Sequence, residues 1–437
     1  MKRSKTAWLA ISTLTAMTMS CFGATAAQAS VTTTAPTAIV QTATSSSHSV
    51  SAIRQQVSDY VATAELDAAT RASLEAALAS DEAFEAASTL AVTQLQTLLT
   101  SAGVDITGAL NPDDYVCGPT PMRDWVTAEK AQIDPDSWSW YTNGFFGMSP
   151  DLLVQYWTLM KTPSAPKDTA FGENGSKTNE MSRTFRALQK FWDIDGSNIG
   201  LVSYDAKVLA DTDEARAERD FVYDGLAKVS ALGSILMELG VESGILAGDL
   251  EGFPGGVDNP LFSVNSFAID PAHSDSADML NTLGITRRVA MGQGLIAMWD
   301  DLGLDRVGTR AVLAHEYGHQ VQYDDDLFAT TITDPAEATA RTELMADAFA
   351  SYFTVSKRGA SLNKAQTLQD LQTFYNVGDC SFSSEGHHGT PDQRYRAAEW
   401  GAQLAQNAPN QGHILPSATV GAQFDAVLAE ITAPDAQ

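Results

Sequence analysis

The chain is poor in cysteine and in basic side chains. Its 437 residues include three cysteines, and 27 Lys and Arg residues stand against 54 Asp and Glu residues, a formal net charge of -27 at pH 7. Nucleic acids and anionic lipid surfaces both require a positive footprint on their binding partner, so this balance argues against either. Hydrophobic residues nevertheless make up 44% of the chain, enough for a full core. We therefore expect a globular protein.

Several familiar motifs are also missing. The sequence contains no phosphate-binding loop of the form G-x-x-x-x-G-K-[ST], no G-x-S-x-G turn for a nucleophilic serine and no C-x-x-C pair. Beyond the first thirty residues, no apolar run reaches the roughly 18 residues that indicate a transmembrane helix. Hydrolysis through a serine or cysteine nucleophile thus lacks support, and the mature protein is expected to have no membrane anchor.

The chain begins with a predicted secretory signal peptide, residues 1 to 29. A positive start at positions 2 to 5 precedes a mildly apolar stretch and the small-residue cleavage site AQA at 27 to 29. The mature protein would begin at Ser30 and would be periplasmic or extracellular. Cys21 offers a lipoprotein anchor as the alternative, but the residues before it lack the usual leucine.

The rest of the chain divides by composition. Residues 30 to 50 are rich in Ser and Thr, which predicts a linker. Residues 51 to 110 carry apolar side chains at three- and four-residue steps, which predicts a small helical subdomain, either a removable prosegment or a structural appendage. Residues 111 to 437 combine helical patterns, such as 221 to 239, with short β-branched segments, which predicts an α+β domain. The segments with the pattern of strands are 198 to 204, 261 to 269 and 286 to 292.

A metal-binding pattern lies in the sequence HEYGH, positions 315 to 319. On a helix, His315 and His319 share one face about one turn apart, which lets two imidazoles bind one zinc ion at about 2.0 to 2.1 Å. Glu316, next to the first ligand, is then placed to act as a general base and not as a ligand. This pattern predicts a zinc site.

Two helices are predicted around this pattern. The first would start near Thr309, a possible cap, and would end at the acidic run 324 to 326. The second would start at Asp334 and Pro335, a cap followed by a helix-initiating proline, and would continue through ELMAD at 343 to 347. The connection between them is long enough for the second helix to return across the first.

The second helix offers a third ligand. A catalytic zinc ion has three protein ligands and one open position. Glu343 is the favoured ligand, and Asp347, four residues later on the same face, would accept the second ring N–H of a ligating histidine. Glu337 is the alternative ligand. The apolar residues around Glu343 and Asp347 indicate that the two carboxylates are buried and do not lie on a solvated helix face. Buried carboxylates need a charged or hydrogen-bonding partner, and a metal site provides one.

The combination of HEYGH with ELMAD resembles the gluzincin metallopeptidases, in which a helix with H-E-x-x-H is followed by a helix with a glutamate ligand and, four residues on, an aspartate. The resemblance implies a zincin-like metallopeptidase domain with one catalytic Zn²⁺. It also implies the roles of five residues, namely the zinc ligands His315, His319 and Glu343, the base Glu316 and the hydrogen-bonding partner Asp347.

Longer stretches extend this resemblance over roughly residues 261 to 400. HEYGHQVQ, ELMADAFA and GHHGTPDQR are similar to the bacterial neutral zinc metallopeptidases. Upstream, Asn265-Ser266-Phe267-Ala268 is similar to the Asn-Ala-Phe-Ala stretch before the zinc helix in another gluzincin family, with Ser266 as the departure. The first 250 residues carry no such resemblance.

A glycine-flanked loop near the C-terminus is expected to approach the site. It holds His387 and His388, and His388 matches a histidine of the resembling families, so it is a candidate for stabilising the charge that develops on the attacked carbonyl oxygen. Arg394 is expected to pair with an acid. Cys117 and Cys380 are the cysteines left after cleavage, and in an oxidising compartment they are expected to form a disulfide that pins this loop; two buried thiols are the alternative.

The predicted function is peptide-bond hydrolysis by a secreted zinc-dependent metallopeptidase, in which a zinc-activated water attacks a peptide or protein substrate and Glu316 is the base. The strand around Val289 could be the edge that an extended peptide joins, or an ordinary buried strand. Two alternatives are an exported interaction protein with a structural zinc site, and a zinc hydrolase of another amide or ester. A structural site would have four ligands and no need of Glu316.

Overall fold

The computed structural model describes three stretches of the chain. Cys21, Cys117 and Cys380 lie outside them, so the predicted disulfide falls outside the described residues, as do the predicted signal peptide and the predicted boundary at residue 110. The described residues are 49–101, 120–379 without 166 and 168, and 387–434.

Helices predominate, and a small mixed sheet accompanies them, which confirms the α+β class at this level. Among the described residues, none of the helices combines the length and the apolar character that crossing a membrane requires. The helices are α1 (Val50–Thr63), α2 (Ala68–Ala77), α3 (Asp81–Ser101), α4 (Pro121–Lys130), α5 (Pro135–Asn143), α6 (Pro150–Met160), α7 (Thr178–Phe191), α8 (Asp213–Ala227), α9 (Ala231–Ala247), α10 (Ala277–Thr282), α11 (Gln293–Asp301), α12 (Asp305–Asp324), α13 (Pro335–Val355), α14 (Lys364–Asn376), α15 (Pro391–Gln406) and α16 (Ser417–Ile431).

The N-terminal helices share a hydrophobic core with the rest of the protein. α3 packs on α9, and the hydroxyl of Tyr156 in α6 donates a hydrogen bond to the carbonyl oxygen of Leu95 in α3 at 2.6 Å. Phe84 of α3 is fully buried. The apolar face that the sequence predicts for this segment is therefore covered by α6 and α9.

Three strands form the sheet, in the order β1-β3-β2. They are β1 (Gly200–Tyr204), β2 (Ser266–Ile269) and β3 (Arg288–Gly292). β3 runs parallel to β1 and antiparallel to β2, so it is central, and all five of its residues are buried. Of the two alternatives for the strand around Val289, the ordinary buried strand is therefore the one observed and the edge strand is not, because β1 and β2 pair on both of its sides. The edge strand beside α12 is β2.

The two predicted motif helices are present, with one boundary different. α12 begins at Asp305, so Thr309 is a buried residue inside the helix and not its cap. The helix ends at Asp324, in the predicted acidic run. α13 begins as predicted, since the Asp334 side chain accepts a hydrogen bond from the backbone N–H of Glu337 at 3.0 Å and Pro335 is the first helical residue.

The helical pattern predicted over 221 to 239 is divided between two helices. α8 ends at Ala227 and α9 begins at Ala231. The Ser230 side chain accepts a hydrogen bond from the backbone N–H of Gly233 and caps α9. A serine in the middle of an apolar pattern thus marks a helix start here, because its hydroxyl satisfies a backbone donor that a continuous helix would satisfy internally.

α13 is held closely between α12 and α15. Gly318 of α12 faces Ala346 of α13, and a Cβ at Gly318 would lie 3.3 Å from the Cα of Ala346. On the other side, a Cβ at Gly401 of α15 would lie 2.1 Å from the carbonyl oxygen of Ala348. Glycine at both positions lets the three helix backbones approach. This close approach brings side chains of α12 and α13 into contact.

We expect Gly401→Ala to lower the free energy of unfolding by about 1–3 kcal/mol, because the added methyl group meets the α13 backbone and one of the two helices must shift. Gly318→Ala is the matched control, because it gains the same helix propensity. Its methyl group would lie 3.3 Å from the nearest backbone atom of α13, so the free energy of unfolding should fall by less. Urea unfolding monitored by circular dichroism measures both. A Gly401→Ala variant as stable as the parent would contradict the packing described.

Candidate metal centre

Three side chains from two helices converge on one point. The Nε2 atoms of His315 and His319, on α12, lie 3.1 Å apart. The carboxylate of Glu343, on α13, lies 3.2 Å from Nε2 of His315 and 3.3 Å from Nε2 of His319. Among the described residues, these three form the group that could hold a metal ion. Glu337, the alternative ligand, is exposed in the first turn of α13 and is not part of the group.

Hydrogen bonds fix the tautomer of both histidines. Nδ1 of His315 lies 2.7 Å from the Asp347 carboxylate, which only accepts, so Nδ1 carries the proton. Nδ1 of His319 lies 2.8 Å from the Gln322 side-chain oxygen. The orientation of that amide is set by its nitrogen, which donates to the Thr342 carbonyl oxygen at 2.7 Å. In the neutral rings, both Nε2 atoms therefore present lone pairs to the centre.

The donor set fits a metal ion. Two Nε2 lone pairs and a carboxylate held 3.1 to 3.3 Å apart repel one another unless a cation lies among them. Two ligands bound tetrahedrally at about 2.0 to 2.1 Å to one zinc ion are about 3.3 Å apart. The observed spacings are close to that value. The side chains would need little movement to coordinate an ion.

The charges of the centre also call for a cation. Burial disfavours the charged form of His315, but the carboxylates of Asp347 and Glu343 outweigh it and raise the pKa of His315 to about 10. Burial likewise opposes ionisation of Glu343, yet His319 and the other nearby histidines hold its pKa well below its usual range. A charged carboxylate at this depth requires a positive neighbour, either a proton on a histidine or a metal ion.

Asp347 is the buried acid behind His315. It is fully buried, and besides its contact with His315 it accepts two hydrogen bonds of 2.7 Å from Arg394 of α15. Burial opposes the charge on Arg394, but Asp347 outweighs it and raises the pKa of Arg394 above its usual range. Arg394 is thus the ion-pair residue that the sequence predicts. The sequence did not reveal which acid it contacts, since the two are 47 positions apart.

Glu316, the predicted base, lies between α12 and the sheet. Its side chain is buried, and its Oε1 accepts a hydrogen bond from the hydroxyl of Ser266 at 2.6 Å. Ser266 is the first residue of the edge strand β2. In the sequence, Ser266 stands out only as a departure from a familiar stretch. Its contact with Glu316 depends on a pairing of strand and helix across 50 positions.

The predicted histidine loop is organised by Asp379. Its carboxylate lies 2.7 Å from Nδ1 of His387, accepts a hydrogen bond from the backbone N–H of His388 at 2.7 Å, and lies 3.3 Å from Nδ1 of His388. Burial opposes ionisation, but both histidines hold the pKa of Asp379 well below its usual range. His387 is buried and His388 is partly exposed. The charge of His388 is also among those that lower the pKa of Glu343.

An exposed aromatic side chain lies beside the histidines. Phe328 is 37% exposed, and its ring stacks on that of Tyr323 with centroids 4.6 Å apart. Its centroid is 6.5 Å from that of His319. Nothing in the sequence marks Phe328 as a site residue, because single aromatic residues after helices are common. It provides an apolar surface at the rim of the centre.

Comparisons of the chain with protein-family models, with curated proteins and with solved structures found no match.

We expect Asp347→Asn to weaken zinc binding about 10–100-fold, because the neutral amide no longer holds the Nδ1–H of His315 with a charge. Competition with a chromogenic chelator measures the affinity. Asp425→Asn is the matched control, since it also neutralises one carboxylate of a bidentate pair with an arginine, here Arg341 of α13. Equal zinc affinity of the two folded variants would contradict the role of Asp347.

Proposed function

We propose that this protein is an exported zinc-dependent metallopeptidase with a zincin-like catalytic domain. The observation that carries the proposal is the convergence of the two Nε2 atoms of His315 and His319 with the Glu343 carboxylate, 3.1 to 3.3 Å apart. The predicted signal peptide supports export. The close crossing of α12 and α13 beside the edge strand β2 supports the zincin-like assignment.

Zinc is the metal that this donor set favours. Imidazole nitrogens suit zinc and other transition metals, whereas magnesium and calcium sites are built of oxygen ligands. Two histidines, one glutamate and an open fourth position are typical of catalytic zinc sites in peptidases. When bound, zinc lowers the pKa of a coordinated water and polarises a carbonyl oxygen. His315, His319 and Glu343 would hold it.

Glu316 is the general base in this proposal. Because the Ser266 hydroxyl donates to Oε1, the proton of the attacking water is directed to Oε2. The hydrogen bond to Oε1 persists in both protonation states, so the carboxyl group keeps its orientation while Oε2 gains and later releases the proton. The same proton then passes to the leaving amine. Ser266 is therefore a positioning residue that acts through Glu316.

The substrate would lie at the start of β2. Phe267, Ala268 and Ile269 are buried, and the Ile269 carbonyl oxygen already accepts a hydrogen bond from Gln320 at 3.1 Å. Ser266 is partly exposed, so an extended peptide would pair with this end of the strand, beside Glu316. In this proposal β2, and not β3, is the strand that an extended peptide joins.

His388 completes the proposed site. It is partly exposed, its charge is among those that lower the pKa of Glu343, and its backbone N–H donates to Asp379. A donor there would stabilise the negative charge that develops on the attacked carbonyl oxygen, an effect of about 2.7–4 kcal/mol for an oxyanion-hole donor in a serine protease. Phe328 offers an apolar contact for a substrate side chain.

Replacing the base tests the function directly. We expect the parent and Glu316→Gln to bind about one zinc ion per chain, while casein hydrolysis by the variant falls about 10²–10⁴-fold, because glutamine cannot accept the proton. Metal analysis and release of soluble peptides measure the two properties. If both proteins bind zinc and neither cleaves any peptide, the proposal fails in favour of a structural zinc site.

Replacing Ser266 tests how the base is held. We expect Ser266→Ala to lower kcat about 10–100-fold with little change in KM, because a hydrogen bond to a charged group is worth about 1.5–3 kcal/mol. Ser266→Thr retains the hydroxyl and should restore most of the activity. Zinc content should be the same in all three proteins. Loss of activity in both variants alike would show that the hydroxyl is not what matters.

A further inference from the structure

A basic groove lies on the outer face of α7. Three cationic side chains of this helix, Arg183, Arg186 and Lys190, line it together with Arg358, which follows α13. The groove has a volume of about 420 Å³, and Phe191 is among its apolar lining residues. These cationic side chains recur at steps of three and four residues, so they share one helix face.

The groove is separate from the candidate metal centre. The opposite face of α7 is buried, and its Phe185 contacts Tyr317 of α12 with ring centroids 5.8 Å apart. Tyr317 follows His315 by two positions, about 200° around the helix, so α7 packs on the side of α12 that points away from the ligands. The cationic face of α7 points further outward still.

The four cations of the groove lack acidic partners. Elsewhere in the described residues, several arginines pair with carboxylates, as Arg219 does with Glu242. Within the part of the chain that the structure describes, Arg183, Arg186, Lys190 and Arg358 form no ion pair, and their recorded hydrogen bonds go to backbone carbonyl oxygens, as from Arg358 to Gly412 at 3.2 Å. Among the described residues, no carboxylate is therefore paired directly with these four positive charges.

The chain segments that form the groove contain no acidic residue. The groove is built from three segments, and the stretches 181 to 192, 348 to 369 and 400 to 424 that contain them have no Asp or Glu. This contrasts with the chain as a whole, in which 54 of 437 residues are acidic. Asp193 directly follows the first of these stretches, and its carboxylate accepts hydrogen bonds from Ser417. Lys357 and Lys364 add positive charge to the same segments.

We propose that the basic groove binds a small ligand with two or more phosphate groups. Guanidinium groups present planar forks that match phosphate oxygens, and each phosphate carries up to two charges with three acceptors in a small volume. Pockets of about 300–1,000 Å³ typically hold small molecules, and the groove is within that range. Charges beyond about 8 Å are screened at physiological salt, so the acidic remainder of the protein does not prevent binding.

Titration calorimetry with inorganic pyrophosphate tests the site, using metal-free protein at an ionic strength of about 0.15 M. We expect the double variant Arg183→Gln/Arg186→Gln to bind pyrophosphate at least about tenfold more weakly than the parent, because two charge-assisted hydrogen-bonding groups are lost. Lys207→Gln/Lys228→Gln is the control, since it makes the same change in net charge at two exposed lysines outside the groove. It should bind like the parent. Raising the salt concentration should weaken binding by the parent.

Three outcomes would overturn the proposal. The first is no binding of pyrophosphate to the parent, and the second is equal binding by the two double variants. The third is a citrate affinity equal to that of pyrophosphate, which would make the groove a carboxylate site. The Glu343→Ala variant is a further control and should bind pyrophosphate as the parent does. If it did not, the pyrophosphate would be bound at the candidate metal centre and not in the groove. Arg183 and Arg186 are exposed, so a loss of binding should come without a loss of melting temperature.

Discussion

The rest of the structure depends on the pairing of one fully buried carboxylate, that of Asp347. A charge at this depth is costly unless it is paired and hydrogen-bonded. Asp347 meets that need with a histidine of α12 and with Arg394 of α15, while its own backbone belongs to α13. The three helices are thereby joined through one side chain. The same contact with His315 leaves the lone pair of its Nε2 atom directed toward Glu343, in the candidate metal centre.

Close helix packing makes that contact possible. Gly318 lies inside the HEYGH sequence, and its missing side chain lets α12 approach Ala346 of α13. Glu343 can therefore reach both histidines from the neighbouring helix. On its other side, α12 meets the edge strand through Ser266 and Glu316. One helix thus carries two ligands toward α13 and a proposed base toward the sheet, because successive residues point in different directions around it.

The charge of the protein is distributed unevenly. An excess of acids gives the chain its net charge of -27, yet among the described residues the four cations of the basic groove form no ion pair with an acid. Ring contacts of Phe185 and Phe191 with α12 and α13 fix this helix in place. The metal centre and the basic groove are therefore built on opposite sides of the same helix packing.

The sequence by itself determined the local features of this protein. It determined that two histidines share a helix face, that Asp334 and Pro335 begin the returning helix, and that Glu343 and Asp347 point the same way, because helical periodicity and capping act within a few residues. Only the tertiary structure decided that β3 is central, that Ser266 contacts Glu316, and that Arg394 pairs with Asp347. Those contacts join residues far apart in the chain, and strand order and helix crossing, which set them, leave no local pattern to read.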